Sequence, residues 1–373
     1  MLTRRHLRIK VLQAVYAFFQ SESDRMDLAE RQLLQSLDRI LDLAVYHFSF
    51  ICELVNFAEH RIEENKLKHL PSADDLNPNT RFIDNTFIRR LRENRSFVRH
   101  VDSLKISWKE QEDIIRKIYQ QLRDTEPYKT YMSISEASFK SDKEFIQFIF
   151  DNLVFNSEVM QFFYEEKNLY WTNDSHKVVL NLNTENIQND ELYRFADKEM
   201  AQKLYKRFAS PEGTLEITCE EAAVYPENDY NISGFVVHRI IKEFKESWDE
   251  FTSMPHLLKP TGGEDDDREF LTRLFRQVVI HKAEYAELIS SRADNWEFDR
   301  IALMDTILMQ MALAELIEFP SIPVKVTMNE YIELSKIYST PKSSQFINGL
   351  LDKLVNELKS EGKIKKTGRG LME

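Results

Sequence analysis

Between Asp299 and Phe319 the chain is apolar on nearly every side of a helix. Ile301, Leu303, Met304, Ile307, Leu308, Met311, Leu313, Leu316 and Ile317 cover all faces. A helix of this kind cannot lie on a surface; other elements must wrap it. Asp299 is a suitable N-cap and Pro320 ends the run. A membrane span is disfavoured by Asp305, Gln310, Glu315 and Glu318 within the stretch. The chain is therefore expected to fold around a central buried helix.

The remaining sequence supplies helices to wrap it. Leu7, Val11, Ala14, Val15 and Phe18 form one stripe over residues 3–20. Residues 26–66 read as one long or broken helix, with Leu33, Leu37, Leu41, Ala44, Val45 and Phe48 in register. A linker with Pro71 and Pro78 follows. Further helices are expected near 82–95, 107–123, 142–167, 190–209, 232–250 and 266–291, with a break at Gly262-Gly263. The last begins at Thr340-Pro341, an N-cap followed by proline, and repeats Phe346, Ile347, Leu350, Leu351, Leu354, Val355 and Leu358. The basic tail from Gly362 is expected to be disordered. With 8 glycines and 10 prolines in 373 residues, a turn-rich β architecture is disfavoured. The 25 phenylalanines read mostly as bulky core filler.

At an offset of 125 the chain resembles itself. Asp142, Glu144, Phe145, Phe150, Val154, Trp171 and Asp174 match Asp267, Glu269, Phe270, Phe275, Val279, Trp296 and Asp299, 7 identities over the 33 positions from 142 to 174. An ancient duplication and a coincidence between two amphipathic helices both account for it.

No catalytic signature is present: neither a Walker-type phosphate loop, GxGxxG, HExxH nor GxSxG. The nine histidines include no i, i+4 pair, Cys52 and Cys219 are far apart, and Glu264 to Asp267 lacks calcium-loop spacing and suits a helix N-terminus. No catalytic residue, cofactor or metal is expected. Arg4, Arg5, Arg8 and Lys10 precede an apolar run as in a secretory leader. Gln13 interrupts that run and no small-residue cleavage signal follows, so a helix of the folded protein is expected.

Charge is unevenly spread. The net charge is −12, yet residues 1–10 carry four basic side chains and no acid. Residues 323–373 carry nine basic and six acidic ones, leaving −19 between. Basic ends on an acidic body permit a local phosphate-binding patch; solvated helix ends would carry the same residues.

Asn295 to Leu354 reads NWEFDRIALMDTILMQMALAELIEFPSIPVKVTMNEYIELSKIYSTPKSSQFINGLLDKL. It carries, in order, an A-x-x-E-L helix end, P-x-K-V-x-x-N-E-x-I-E-L-S-K and S-x-x-F-I-N-G-L-L-D-K. This resembles the C-terminal half of the NusB transcription antitermination family, with Lys325, Asn329, Glu330, Glu333, Lys336, Phe346, Asn348, Gly349, Asp352 and Lys353 in the matching places. DREFLTRLFRQVVIHKAEYAELIS (267–290) fits the preceding family helix, and RRHLRIKVLQAVYAFFQ its arginine-rich first helix.

The resemblance implies an all-α, NusB-like helical bundle with an additional helical insertion. It divides the chain into a first helix (1–20), a helical elaboration (21–265) that holds the copy near 142–174 if duplication is right, a C-terminal bundle (266–358) and a basic tail (359–373). It implies a non-enzymatic cytoplasmic factor, with no membrane partner. Such a factor binds boxA-type rRNA leader RNA with the ribosomal protein NusE and joins the RNA polymerase antitermination complex.

The implied RNA-binding residues are Arg4, Arg5, Arg8 and Lys10 on the first helix, Tyr16 and Tyr338 as aromatic faces, and Lys336, Lys342 and Ser343 at the turn into the last helix. Core packing is the alternative for Tyr16 and Tyr338. Asn348 and Gly349 are assigned to close helix packing. Lys342 stands where the family often has an acid, and members are much shorter than this chain. Arg4→Glu with Arg5→Glu is expected to weaken RNA binding without unfolding. A helical protein-interaction scaffold that kept the fold without RNA binding is the competing reading. An accessory part of an RNA-modifying enzyme is a third, for which no glycine-rich cofactor segment is present.

Overall fold

The computed structural model describes residues 2–21, 24–135, 138–166, 229–259, 266–292, 301–339 and 341–371. Among them there is no strand, and the chain is all-α. Two compact units are distinguished. Of the described residues, 37–166 and 229–257 form one, and 2–36 and those from 258 to 371 form the other.

The helices of the first unit are α2 (Met26–Lys66, from residue 37), α3 (Ala73–Leu76), α4 (Thr86–Glu93), α5 (Arg95–Ser103), α6 (Glu112–Asp124), α7 (Glu126–Ser133), α8 (Phe139–Ile149), α9 (Glu158–Glu166) and α10 (Asp229–Glu243). A π-helical turn, Phe150–Phe155, breaks the expected single helix over 142–167. The expected helix over 82–95 is the shorter Thr86–Glu93, and an unexpected helix, Arg95–Ser103, follows because the Asn94 side chain accepts the Phe97 N–H and starts it. The expected helix at 190–209 lies outside the described residues. α2 is long and apolar enough to cross a membrane, and 67% of its apolar window is buried inside the protein.

Phenylalanine does fill this core: Phe82, Phe87, Phe145, Phe150 and Phe244 are all buried. One polar group inside it, His47, is paired. His47 is fully buried, with Nδ1 3.0 Å from the Tyr164 hydroxyl and Nε2 3.3 Å from that of Ser233. The Ser233 hydroxyl donates to the Tyr230 carbonyl, so it accepts from His47 Nε2–H, and Tyr164 donates to Nδ1. Burial pushes the His47 pKa down to about 3. Gly234 lies where a Cβ would overlap the Phe155 ring, which is why α10 can approach it.

The second unit holds α1 (Arg4–Gln20), the start of α2, α11 (Asp267–Ile280), α12 (Lys282–Ser290), α13 (Leu303–Glu318), α14 (Val324–Tyr338) and α15 (Pro341–Ser360). α13 is the central helix: every residue from Asp305 to Leu316 is buried, and α1, α11, α12, α14 and α15 pack around it. It begins at Leu303, and Asp299 lies outside the described residues. Pro341 opens α15 as expected, and Thr340 lies outside the described residues. Asp266 caps α11 by accepting from the Arg268 and Glu269 N–H groups at 2.8 and 3.0 Å.

Two expectations are corrected. The tail beyond Gly362 is ordered to Leu371. Gly362, at φ +67°, closes α15 while the Lys363 N–H returns to the Leu358 carbonyl at 2.9 Å. The chain then runs back, so that the Thr367 N–H donates to the Pro320 carbonyl at 3.0 Å and Lys366 Nζ to the Phe319 carbonyl at 2.9 Å. Gly370 is buried against the Pro320 carbonyl, where a Cβ would overlap it. The second correction concerns Asn348 and Gly349. Both are exposed, and a Cβ on Gly349 would meet nothing within 4 Å, so helix packing does not require that glycine.

The internal resemblance has a structural counterpart. Asp142 and Asp267 are each buried in the first turn of a helix. Each holds an arginine, Arg81 at 3.2 Å and Arg4 at 3.4 Å. Each arginine lies over an aromatic ring, Tyr131 at 4.6 Å and Phe270 at 4.4 Å.

Candidate nucleic-acid interface

The second unit packs α1 against α11 and α13, and carboxylates from α11, α13 and α14 fasten it. Thr3 starts α1 with a capping box: its hydroxyl accepts from the His6 N–H, and the His6 ring accepts from the Thr3 N–H. One turn on, the guanidinium of Arg8 forks onto both oxygens of Glu315, at 2.8 Å each, with side-chain exposures of 3% and 0%. The Thr327 hydroxyl donates to the same carboxylate at 2.8 Å and the Tyr331 hydroxyl at 3.1 Å. Burial alone would raise the Glu315 pKa. The Arg8 charge and these donors outweigh it and hold the carboxyl below its ordinary range.

Arg5 forks onto Glu330 at 2.9 and 3.1 Å, and the same carboxylate reaches Arg8 at 3.4 Å. Arg4 pairs with Asp267. The first-helix arginines, without an acid near them in sequence, are thus clamped by acids from distant segments. Arg4 and Arg5 keep 30% and 20% of their side chains exposed and can still turn N–H donors outward; Arg8 cannot. Lys10 is also buried, at 2%.

The other expected residues are spread along the same unit. Tyr16 is half-buried, its hydroxyl accepting from Gln20 at 3.4 Å. Lys336 is exposed and pairs with Glu333 one turn back at 2.5 Å. Tyr338 and Ser343 are half-buried. The Lys342 side chain lies outside the described residues. The arrangement therefore joins Arg5 through Glu330 to the α14 helix that carries Lys336 and Tyr338, joins Arg4 through Asp267 to α11, and removes Arg8 and Lys10 from solvent.

Sequence reasoning missed Asp267, Glu315, Thr327, Glu330 and Tyr331 as partners. The signal for Glu315 was present: a glutamate between apolar neighbours on both sides, one turn inside the helix end, must find a cation.

The NusB family profile matches residues 236–356. The transcription antitermination protein NusB of Salinibacter ruber is 42% identical over 113 residues, 30% of this chain and 71% of that protein. That of Chloroherpeton thalassium is 42% identical over 106 residues, 28% of this chain and half of that protein. That of Listeria welshimeri is 38% identical over 94 residues, a quarter of this chain and 73% of that protein. The solved structure of T. maritima NusB aligns at 26% identity over 34% of this chain and 80% of that one, with a TM-score of 0.25. Motif order and identity over most of the length of two of these relatives establish that the chain belongs to the NusB family.

Proposed function

We propose that this protein is a non-enzymatic transcription antitermination factor that binds boxA-type rRNA leader RNA together with NusE, within the RNA polymerase antitermination complex. The observation that carries the reading is the α1–α14 face. Arg5 stands there, partly open to solvent, tied by Glu330 to the helix bearing Lys336 and Tyr338, with the partly open Arg4 one residue before it, in a chain whose relatives are named for antitermination. Arg4 and Arg5 supply phosphate donors, with Tyr16 and Tyr338 as aromatic faces and Lys336, Lys342 and Ser343 as further RNA contacts that the family resemblance implies. Arg8 and Lys10 act from inside the fold, Arg8 by fixing α1 to Glu315. The family bundle is the C-terminal part with α1 added, and the matched Asp142 and Asp267 clamps favour duplication as the origin of the 142–174 segment.

The test is binding of a boxA-containing leader RNA, with and without purified NusE, at two salt concentrations. Tighter binding with NusE that falls steeply with salt supports the reading. Arg4→Gln with Arg5→Gln should weaken it. Charge reversal is the poorer tool, because a glutamate at position 4 would face buried Asp267. No RNA binding under either condition favours the scaffold reading instead.

A further inference from the structure

The first unit carries a concentration of positive charge that the antitermination reading leaves unused. Residues 86–109 hold seven Arg and Lys against two acids, Glu93 and Asp102, in a chain of net charge −12. Such a local excess in an acidic protein sets a field of its own. On α4, Arg89 and Arg92 are three residues apart, so they share a side; on α5, Arg95, Val98 and Arg99 do the same. All five are exposed. The corner between the helices is fixed, because the Asn94 side chain donates to the Asp249 and Thr252 carbonyls at 3.3 and 2.7 Å.

Neutralisation here is slight. Arg92 pairs with Glu59 at 2.8 Å, and Arg95 reaches Glu250 at 3.5 Å with both side chains about half exposed. Arg89, Arg99 and Lys109 make no ion pair among the described residues. This contrasts with α1, where every arginine meets a carboxylate.

Beside this cationic side lies a groove of about 390 Å³. It is lined by apolar Phe97, Val101 and Ile106, by Arg92, Lys109 and Ser107, and by one carboxylate, Glu53, which accepts from the Asn56 amide at 2.9 Å. Arg95 also lies 4.5 Å over the ring of Phe251, which is 65% exposed. Guanidinium forks match phosphate oxygens, and exposed rings and an apolar slot edged by cations take unstacked bases. A duplex keeps its bases stacked inside and has no use for the slot.

We propose that the α4–α5 side and the adjoining groove form a second contact surface, for single-stranded RNA of relaxed sequence. It is independent of the boxA reading.

The test uses the full chain and a labelled oligouridylate, followed by fluorescence anisotropy across a salt series, with boxA RNA measured in parallel. Arg89→Glu with Arg99→Glu should lower oligouridylate affinity and reduce the salt slope by about 1.4, from ~0.7 per lost phosphate contact on a single strand. Neither side chain is paired with a carboxylate, so the fold should persist, checked by circular dichroism. Ser107→Phe, which fills the groove, should weaken oligouridylate binding while leaving the slope unchanged. BoxA binding should be unaffected by either change; its absence from the wild type would count against the boxA reading alone. Oligouridylate affinity that is absent in the wild type, or indifferent to both substitutions in folded protein, overturns the proposal, as it would if an acidic protein were the occupant.

Discussion

Replacing Glu315 by glutamine keeps the shape of the side chain and removes its charge. In the wild type the carboxylate receives four contacts, two from Arg8 at 2.8 Å, one from Thr327 at 2.8 Å and one from Tyr331 at 3.1 Å. Glutamine offers one acceptor oxygen, and its amide nitrogen must face a donor. The Arg8 guanidinium, 3% exposed, is left with Glu330 at 3.4 Å as its charged partner. Removing one member of a buried pair costs about 3–5 kcal/mol, because the other charge stays buried. Against a total stability of about 5–15 kcal/mol, this is a large fraction. At ~2–4 °C per kcal/mol for a larger domain, the melting temperature should fall by roughly 10 °C. Urea unfolding followed by circular dichroism measures the change as a lower midpoint at constant slope. Arg8→Met combined with Glu315→Leu should recover part of the loss, since neither member of the pair then remains as a buried charge, while the Thr327 and Tyr331 hydroxyls still lose their acceptor. A Glu315→Gln protein within about 1 kcal/mol of wild type, or a double variant no better than the single one, would refute the account.

Three further outcomes are expected. His47 is held neutral by burial, with a folded pKa of about 3 against an ordinary value near 6.5, so the unfolded chain binds the extra proton; stability is full above pH 6.5 and declines by up to ~1.4 kcal/mol per pH unit as pH falls towards 3. Unfolding measured between pH 6.5 and 5 should show that slope, and His47→Gln should lose it. Gly349 sits exposed within α15 with open space around it, so Gly349→Ala should raise stability by about 0.5–1 kcal/mol in a thermal melt. Gly370→Ala forces a methyl group onto the Pro320 carbonyl, so the segment after Gly362 should lift and become the first site of limited proteolysis, while α15 stays intact.

Periodicity by itself determined the helical class, the central place of α13, the span of α2 and the α1 stripe, because burial of apolar faces is written at 3.6-residue spacing; it leaves open whether α2 runs unbroken from Met26 to Lys66, as it does. Motif order also carried the family. Helix breaks at Asn94, at His281 and across Phe150–Phe155 were not legible, since each depends on a local cap or ladder change that the hydrophobic pattern crosses without interruption. The ordered tail was equally hidden: a basic, glycine-containing segment looks solvated until the Phe319 and Pro320 carbonyls are placed to receive it. The candidate site divides in the same way. Sequence supplied the cations, and only the tertiary structure supplied Asp267, Glu315 and Glu330, which lie hundreds of residues along the chain from α1. Charge is a property of each residue; whether an arginine faces water or a buried carboxylate is decided by which distant segment packs against it.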